Sequence, residues 1–122
     1  MKSSKPRKQR FYMYNAPLHR RQHLLHAHIS KELKEKMNIS KRSIQIAKGD
    51  SAKVMKGSHK GKEGKVVRVD LRKGFVYLDT VKRKNSKGKE LEVPIHVSNL
   101  YITSLNLSDK LRAAKIKSMQ MK

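Results

Sequence analysis

The sequence predicts a mainly β protein: a small barrel of five or six strands, with a basic N-terminal extension carrying short helices and a C-terminal helix. Three observations lead there. Short apolar runs recur at close spacing between Ser43 and Leu105, separated by turn residues. Two of them, Ala52–Met55 and Val66–Val69, flank a loop in which Gly57, Gly61 and Gly64 are interleaved with Lys56, Lys60 and Lys62, so they read as a hairpin. Charge also divides the chain: residues 1–42 hold 12 basic and 2 acidic side chains, 43–105 hold 14 and 6, and 106–122 hold 5 and 1. A folded core balances its charges better than an arm that lies on phosphates. The expected units are therefore an extension over 1–42, the barrel over 43–105 and a basic helix and tail over 106–122.

The first sixteen residues carry Lys2, Lys5, Arg7, Lys8 and Arg10, followed by Phe11, Tyr12 and Tyr14. They show no helical or strand period, and Pro6 and Pro17 discourage regular structure, so the free arm is expected to be disordered. The aromatics have two uses. They can stack on an unpaired base or sugar while the cations hold flanking phosphates. Alternatively, Phe11 and Tyr14 can anchor the arm on the barrel.

Residues 17–29 read as a short helix. Pro17 suits a first helical position. Leu18, Leu25 and Ile29 fall near one stripe, and Arg20, Arg21 and His23 lie away from it. His19 and His23 stand four apart, a spacing open to a metal ion. No carboxylate or cysteine is nearby and Arg20 and Arg21 would repel a cation, so these histidines are read as surface groups or phosphate donors and no metal site is expected. Ser30 is a candidate N-cap for a second helix, Lys31–Met37, with Glu32 in its first turn and Asn38 at its end. Lys41 and Arg42 lead into the barrel.

From Ser43 the period changes to two. Ile44 and Ile46 alternate with polar residues, Gly49-Asp50 is a turn, and Ala52 and Val54 alternate again. Val66, Val67 and Val69 break strict alternation, which predicts a bulge or a strand buried on both faces. Arg72-Lys73-Gly74 is a hairpin turn. Phe75–Asp79 is a strand, followed by a second basic loop over Lys82–Lys89 that holds Lys82, Arg83, Lys84, Lys87 and Lys89. Pro94 confines the Leu91–Val93 strand to an edge or an ending. Asn99–Leu105 gives the last strand, with Leu100 and Ile102 opposite Tyr101. Ser108 is expected to cap a helix with Leu111, Ala114 and Ile116 inside and Lys110, Arg112, Lys115 and Lys117 exposed, and Met119–Lys122 is expected to fray.

The chain has 122 residues and a net charge of +22. Such self-repulsion opposes compaction, whereas a polyanion converts it to binding energy by counterion release. An anionic membrane surface is the other polyanion to weigh. No apolar stretch of spanning length and no signal-peptide core is visible, so a soluble, cytosolic protein without membrane insertion is expected. The absence of cysteine excludes disulfides and thiolate chemistry. The carboxylates lie in turns, at element ends or on a solvated helix, with no acid–base pair and no nucleophile motif. Neither catalysis nor a cofactor is expected.

The run Gly49-Asp50, Val54, Gly57, Lys60-Gly61, Gly64-Lys65-Val66 and Val69 resembles the KOW motif of SH3-like barrels. With Asn15-Ala16-Pro17-Leu18-His19-Arg20-Arg21, Ile29-Ser30-Lys31-Glu32-Leu33, Arg42-Ser43 and Pro94-Ile95-His96-Val97-Ser98-Asn99-Leu100, the chain resembles the ribosomal protein L-twenty-four family in its archaeal and eukaryotic form. The likeness runs from about Arg10 to Arg112. It implies a structural, cytoplasmic, monomeric constituent of the large ribosomal subunit that binds rRNA near its 5′ end, sits near the peptide exit tunnel beside other ribosomal proteins, and acts early in assembly. It also adds His96 to the candidate RNA-binding residues. Thr80 stands where the family commonly carries Gly, which disfavours a positive φ there. A KOW-domain transcription or RNA-processing factor is the alternative reading. Under either, phosphate contacts would set position, while RNA shape and a few unstacked bases would set specificity.

Overall fold

Alternation of apolar and polar residues accounts for most of the sheet. The computed structural model describes residues 2–120. Seven strands form one mixed sheet: β1 (His26–Ile29), β2 (Ser43–Gln45), β3 (Ser51–Val54), β4 (Glu63–Asp70), β5 (Phe75–Lys84), β6 (Glu90–His96) and β7 (Leu100–Ser104), in the order β2-β1-β7-β3-β4-β5-β6. All pairings are antiparallel except β1 with β7. This is the small SH3-like β-barrel architecture expected, with one more strand. Its core holds Leu25, Ile39, Leu78, Leu100, Ile102, Val54, Val76 and Val81, all essentially inaccessible.

The additional strand corrects the reading of residues 17–29 as a helix. Helical turns cover only α2 (Leu18–Arg21) and a 3-10 turn at Gln22–Leu24. After these, Leu25, Ala27 and Ile29 are buried while His26 faces out and His28 is half-buried. That alternation is a strand period, and it outweighs the thin helical stripe. A second correction concerns the arm. It is helical over α1 (Pro6–Asn15), because Pro6 occupies the first turn, where its missing N–H costs nothing.

Other local signals act as read. Ser30 Oγ accepts from the Leu33 N–H at 3.2 Å and starts α3 (Lys31–Met37). Asn38 closes that helix in the left-handed region, at φ 51°. The pairing of β4 with β5 shifts between Val66 and Arg68, the bulge expected from the valines. Pro94 lies on β6, an edge strand.

The basic segment Lys82–Lys89 is not simply a loop. β5 continues through Lys84, and Lys82, Arg83 and Lys84 pair with Glu92, Leu91 and Glu90. The turn itself is closed by Asn85 N–H to Lys89 O and Gly88 N–H to Asn85 O, each at 2.9 Å. Thr80 needs no positive φ, since Asn38 is the one non-glycine residue there among those described. Its side chain instead crowds Gly64. A Cβ on Gly64 would lie 2.5 Å from Thr80 Oγ1 and 2.3 Å from Asp79 Oδ1, so close strand approach is what requires glycine.

The C-terminal helix α4 (Lys110–Ser118) is capped by Asp109, whose carboxylate accepts from the Leu111 N–H at 3.0 Å, rather than by Ser108. Its inward face is Arg112, Ile116 and Met119, spaced by four and three, while Leu111 is 82% exposed. Fraying from Met119 is also corrected. Met119 packs on the core, Ser40 N–H donates to its carbonyl, and Gln120 pairs with Ile39. Met121 and Lys122 lie outside the described residues.

Candidate nucleic-acid interface

The cations project from four places. The first is the arm. Lys2, Lys5, Arg7, Lys8 and Arg10 are exposed, and no residue of α1 is buried. Phe11 is 69% and Tyr14 77% exposed, so neither anchors the arm on the barrel. Tyr12 is half-buried. Lys2, Lys8, Phe11, Tyr12 and Arg20 converge on an open groove of ≈ 610 Å³. Aromatic faces and cations around one groove suit a base with its flanking phosphates.

What holds this arm is Arg21. Its Nε donates to Ala16 O at 2.8 Å, its Nη1 to Arg72 O at 2.8 Å, and its Nη2 to Tyr14 O. Arg21, expected on RNA, therefore spends its guanidinium on backbone carbonyls. The same contacts bring α2 to the β4–β5 turn, where Arg72 and Lys73 are exposed. The sequence showed Arg72-Lys73-Gly74 as a turn, but nothing in local spacing placed it beside the arm.

The second place is the β3–β4 loop. Gly57 and Gly61 take φ of 101° and 89°, and the loop is closed by Gly61 N–H to Val54 O and Val54 N–H to Lys62 O, both 2.8 Å. Lys56, Lys60 and Lys62 are exposed around it. The third is the β5–β6 hairpin tip, where Lys82, Arg83, Lys84, Lys87 and Lys89 are all exposed. Among the described residues only Lys82 is balanced there, by Glu90 at 3.4 Å. Both tips leave the same end of the antiparallel β3–β4–β5–β6 meander, with the β4–β5 turn at the other end.

The fourth comprises Lys41 and Arg42 before β2, and Lys110 at the start of α4, all exposed. His19 and His23 are exposed as well, and the described residues contain no cluster of three or more His, Asp or Glu able to hold a metal. His96 is exposed. Its Nδ1 accepts from the Ser98 N–H at 3.2 Å, which leaves Nε2 to carry the proton and to donate outward.

Arg112 is the clear correction. It was expected to face RNA, yet its side chain is only 15% exposed and is paired at 2.7 Å with Asp50, which is fully buried. Asp50, read as a turn residue, is the one charged residue buried in the core among those described. One ionisable group is displaced near this helix. Partial burial, then the charges of His23 and Lys115, hold the His26 imidazole below its ordinary 6.5.

Fold and charge together define a class: a mainly β, strongly basic barrel protein that offers cations from two hairpin tips and its helical extensions. Within that class the chain belongs to the family described as ribosomal proteins L26 eukaryotic, L24P archaeal, whose model matches residues 3–119. It is 46% identical over 112 residues to the large ribosomal subunit protein uL24 of Korarchaeum cryptofilum, covering 92% of this chain and 84% of that protein. It is 48% identical over 114 residues to uL24 of Methanospirillum hungatei JF-1, covering 93% of each.

Proposed function

We propose that this protein is a structural constituent of the cytoplasmic large ribosomal subunit, that it binds large-subunit rRNA as a monomer, and that it performs no catalysis. The observation that carries this is its likeness to proteins named uL24 along more than nine-tenths of its length. Exposure of nearly all the candidate cations supports the RNA-binding part, because a phosphate can reach each of them. Family resemblance adds a position near the 5′ end of that rRNA and the exit tunnel, contacts with neighbouring ribosomal proteins, and a role early in assembly.

The three units divide the work in this reading. The barrel over 43–105 sets two basic hairpin tips at fixed separation. The extension over 1–42, which also lends β1 to the sheet, and the tail over 106–122 add cations that follow the RNA beyond the barrel. Binding only the folded chain stabilises it by mass action.

The test is co-sedimentation from a cell lysate. The protein should travel with large subunits and remain on them through a high-salt wash. Recovery with RNA polymerase instead, and not with subunits, would overturn the proposal in favour of a transcription factor.

A further inference from the structure

Val67 is the extra residue of the β4 bulge. Pairing passes from Val66 with Leu78 to Arg68 with Tyr77, which leaves Val67 unpaired and 38% exposed. A single exposed valine needs no explanation, but the setting of this one does. With Val69 and Leu71, which pack against the core from below, it floors a groove of ≈ 530 Å³ that runs between β4 and the β2–β3 turn. That volume lies in the range of ligand pockets, roughly 300–1,000 Å³.

The groove's rim is polar in a specific way. Gln22 and Gln45 line it, and neither carboxamide makes a hydrogen bond among the described residues. Each presents a donor and an acceptor side by side, the pattern that matches the edge of a nucleobase. Arg68 forms another wall. Its guanidinium lies 4.2 Å from the centre of the Tyr77 ring and 3.5 Å from the Glu92 carboxylate. Its side chain stays 61% exposed, and a guanidinium plane is a stacking surface for a base.

Cations flank the groove. Lys48 lines it from the β2–β3 turn, and Leu71 leads directly into exposed Arg72 and Lys73. The contact from Arg21 to Arg72 O fixes the Gln22 side against that turn. Glu92 is the one acid in the lining, and Arg68 neutralises it.

We propose that this groove receives one unpaired nucleotide of an RNA strand. The base lies on Val67, its edge bonded by the Gln22 and Gln45 carboxamides, with Lys48 and the Arg72–Lys73 turn on the phosphates to either side. A base within a duplex cannot enter, so the groove selects single-stranded RNA. This inference rests on the RNA-binding reading above, and the site is separate from the aromatic arm.

The test uses a charge-conserving variant, Gln22→Ala with Gln45→Ala, in the full chain. Affinity is measured for a short single-stranded RNA of mixed sequence and for the duplex of the same strand. The variant should lose roughly tenfold for the single strand, nothing for the duplex, and should keep the salt dependence of both. A 4-thiouridine-containing form of the strand, irradiated with the unaltered protein, should crosslink within residues 45–48 or 67–71. Unchanged single-strand affinity, with crosslinks only outside those segments, would overturn the groove proposal while leaving the RNA-binding reading intact. That is the outcome expected if the groove seats a protein side chain. Failure of the unaltered protein to bind either RNA would overturn both.

Discussion

Arg112 grips Asp50 with both ends of its guanidinium: Nη1 donates to Oδ1 and Nη2 to Oδ2, each at 2.7 Å. The same carboxylate accepts from the backbone N–H of Ala47 at 2.9 Å and of Asn106 at 2.8 Å. Arg112 in turn donates to the carbonyls of Asn106 and Gln45. One buried pair thus ties the C-terminal helix, the β2–β3 turn and the segment after β7 together. Such a pair has already lost its water, so its Coulomb energy is largely offset by desolvation. Breaking it is different, because that leaves a buried carboxylate without a counter-charge.

Arg112→Ala should therefore destabilise the fold by about 3–5 kcal/mol in urea denaturation. A loss within the range of exposed pairs, below about 1 kcal/mol, would show that the pair is effectively solvated.

Gly64→Ala should destabilise by about 1–3 kcal/mol, since its Cβ would press on Asp79 and Thr80. Thermal unfolding measures this. Pairing the variant with Thr80→Gly should recover part of the loss. No recovery would mean that something other than Thr80 excludes the side chain.

Replacing Lys56, Lys60 and Lys62 together by Gln should flatten the slope of log K against log salt for rRNA binding by roughly 2–3. An unchanged slope in the salt titration would remove the β3–β4 loop from the interface.

Phe11→Leu or Tyr14→Leu should cost ~1–3 kcal/mol of RNA affinity by loss of stacking. Because both side chains are exposed, the unfolding midpoint should not move. A shifted midpoint with unaltered affinity would restore the anchoring role.

His26 gives the fold a weak acid sensitivity. Its pKa is lowered in the folded chain by partial burial, then by His23 and Lys115, so below 6.5 the unfolded chain binds more protons than the folded one. Stability contributed by this group is full above 6.5 and falls as pH drops through that value toward the lowered folded pKa. His26→Gln should make the stability–pH curve shallower in that window. An identical curve would assign the acid sensitivity to other groups.

Legibility in the sequence followed the range of the interactions. The α3 cap at Ser30, the Asn38 ending, the valine bulge and the Pro94 edge were readable because each acts within a few residues. β1 was misread although its Leu25-His26-Ala27-His28-Ile29 alternation was present, because Pro17 and the stripe of Leu18, Leu25 and Ile29 suggested a helix. The inward turn of Arg112 was not readable. Its partner Asp50 is 62 residues away, and an arginine in a basic helix gives no local sign of a buried acceptor. The Arg21 clamp on Arg72, 51 residues away, was hidden for the same reason. Among the candidate RNA-binding residues, the exposed majority follow from composition alone. Those that build the scaffold emerge only once the chain is folded.

Under the proposed function, exposed cations on the hairpin tips and extensions bind rRNA through its phosphates. Affinity for protein-free large-subunit rRNA, measured across a salt series, tests it most directly. A straight log–log line with a slope of about −4 or steeper is expected, as five or more neutralised phosphates require. A slope near zero, or no binding at low salt, would contradict it.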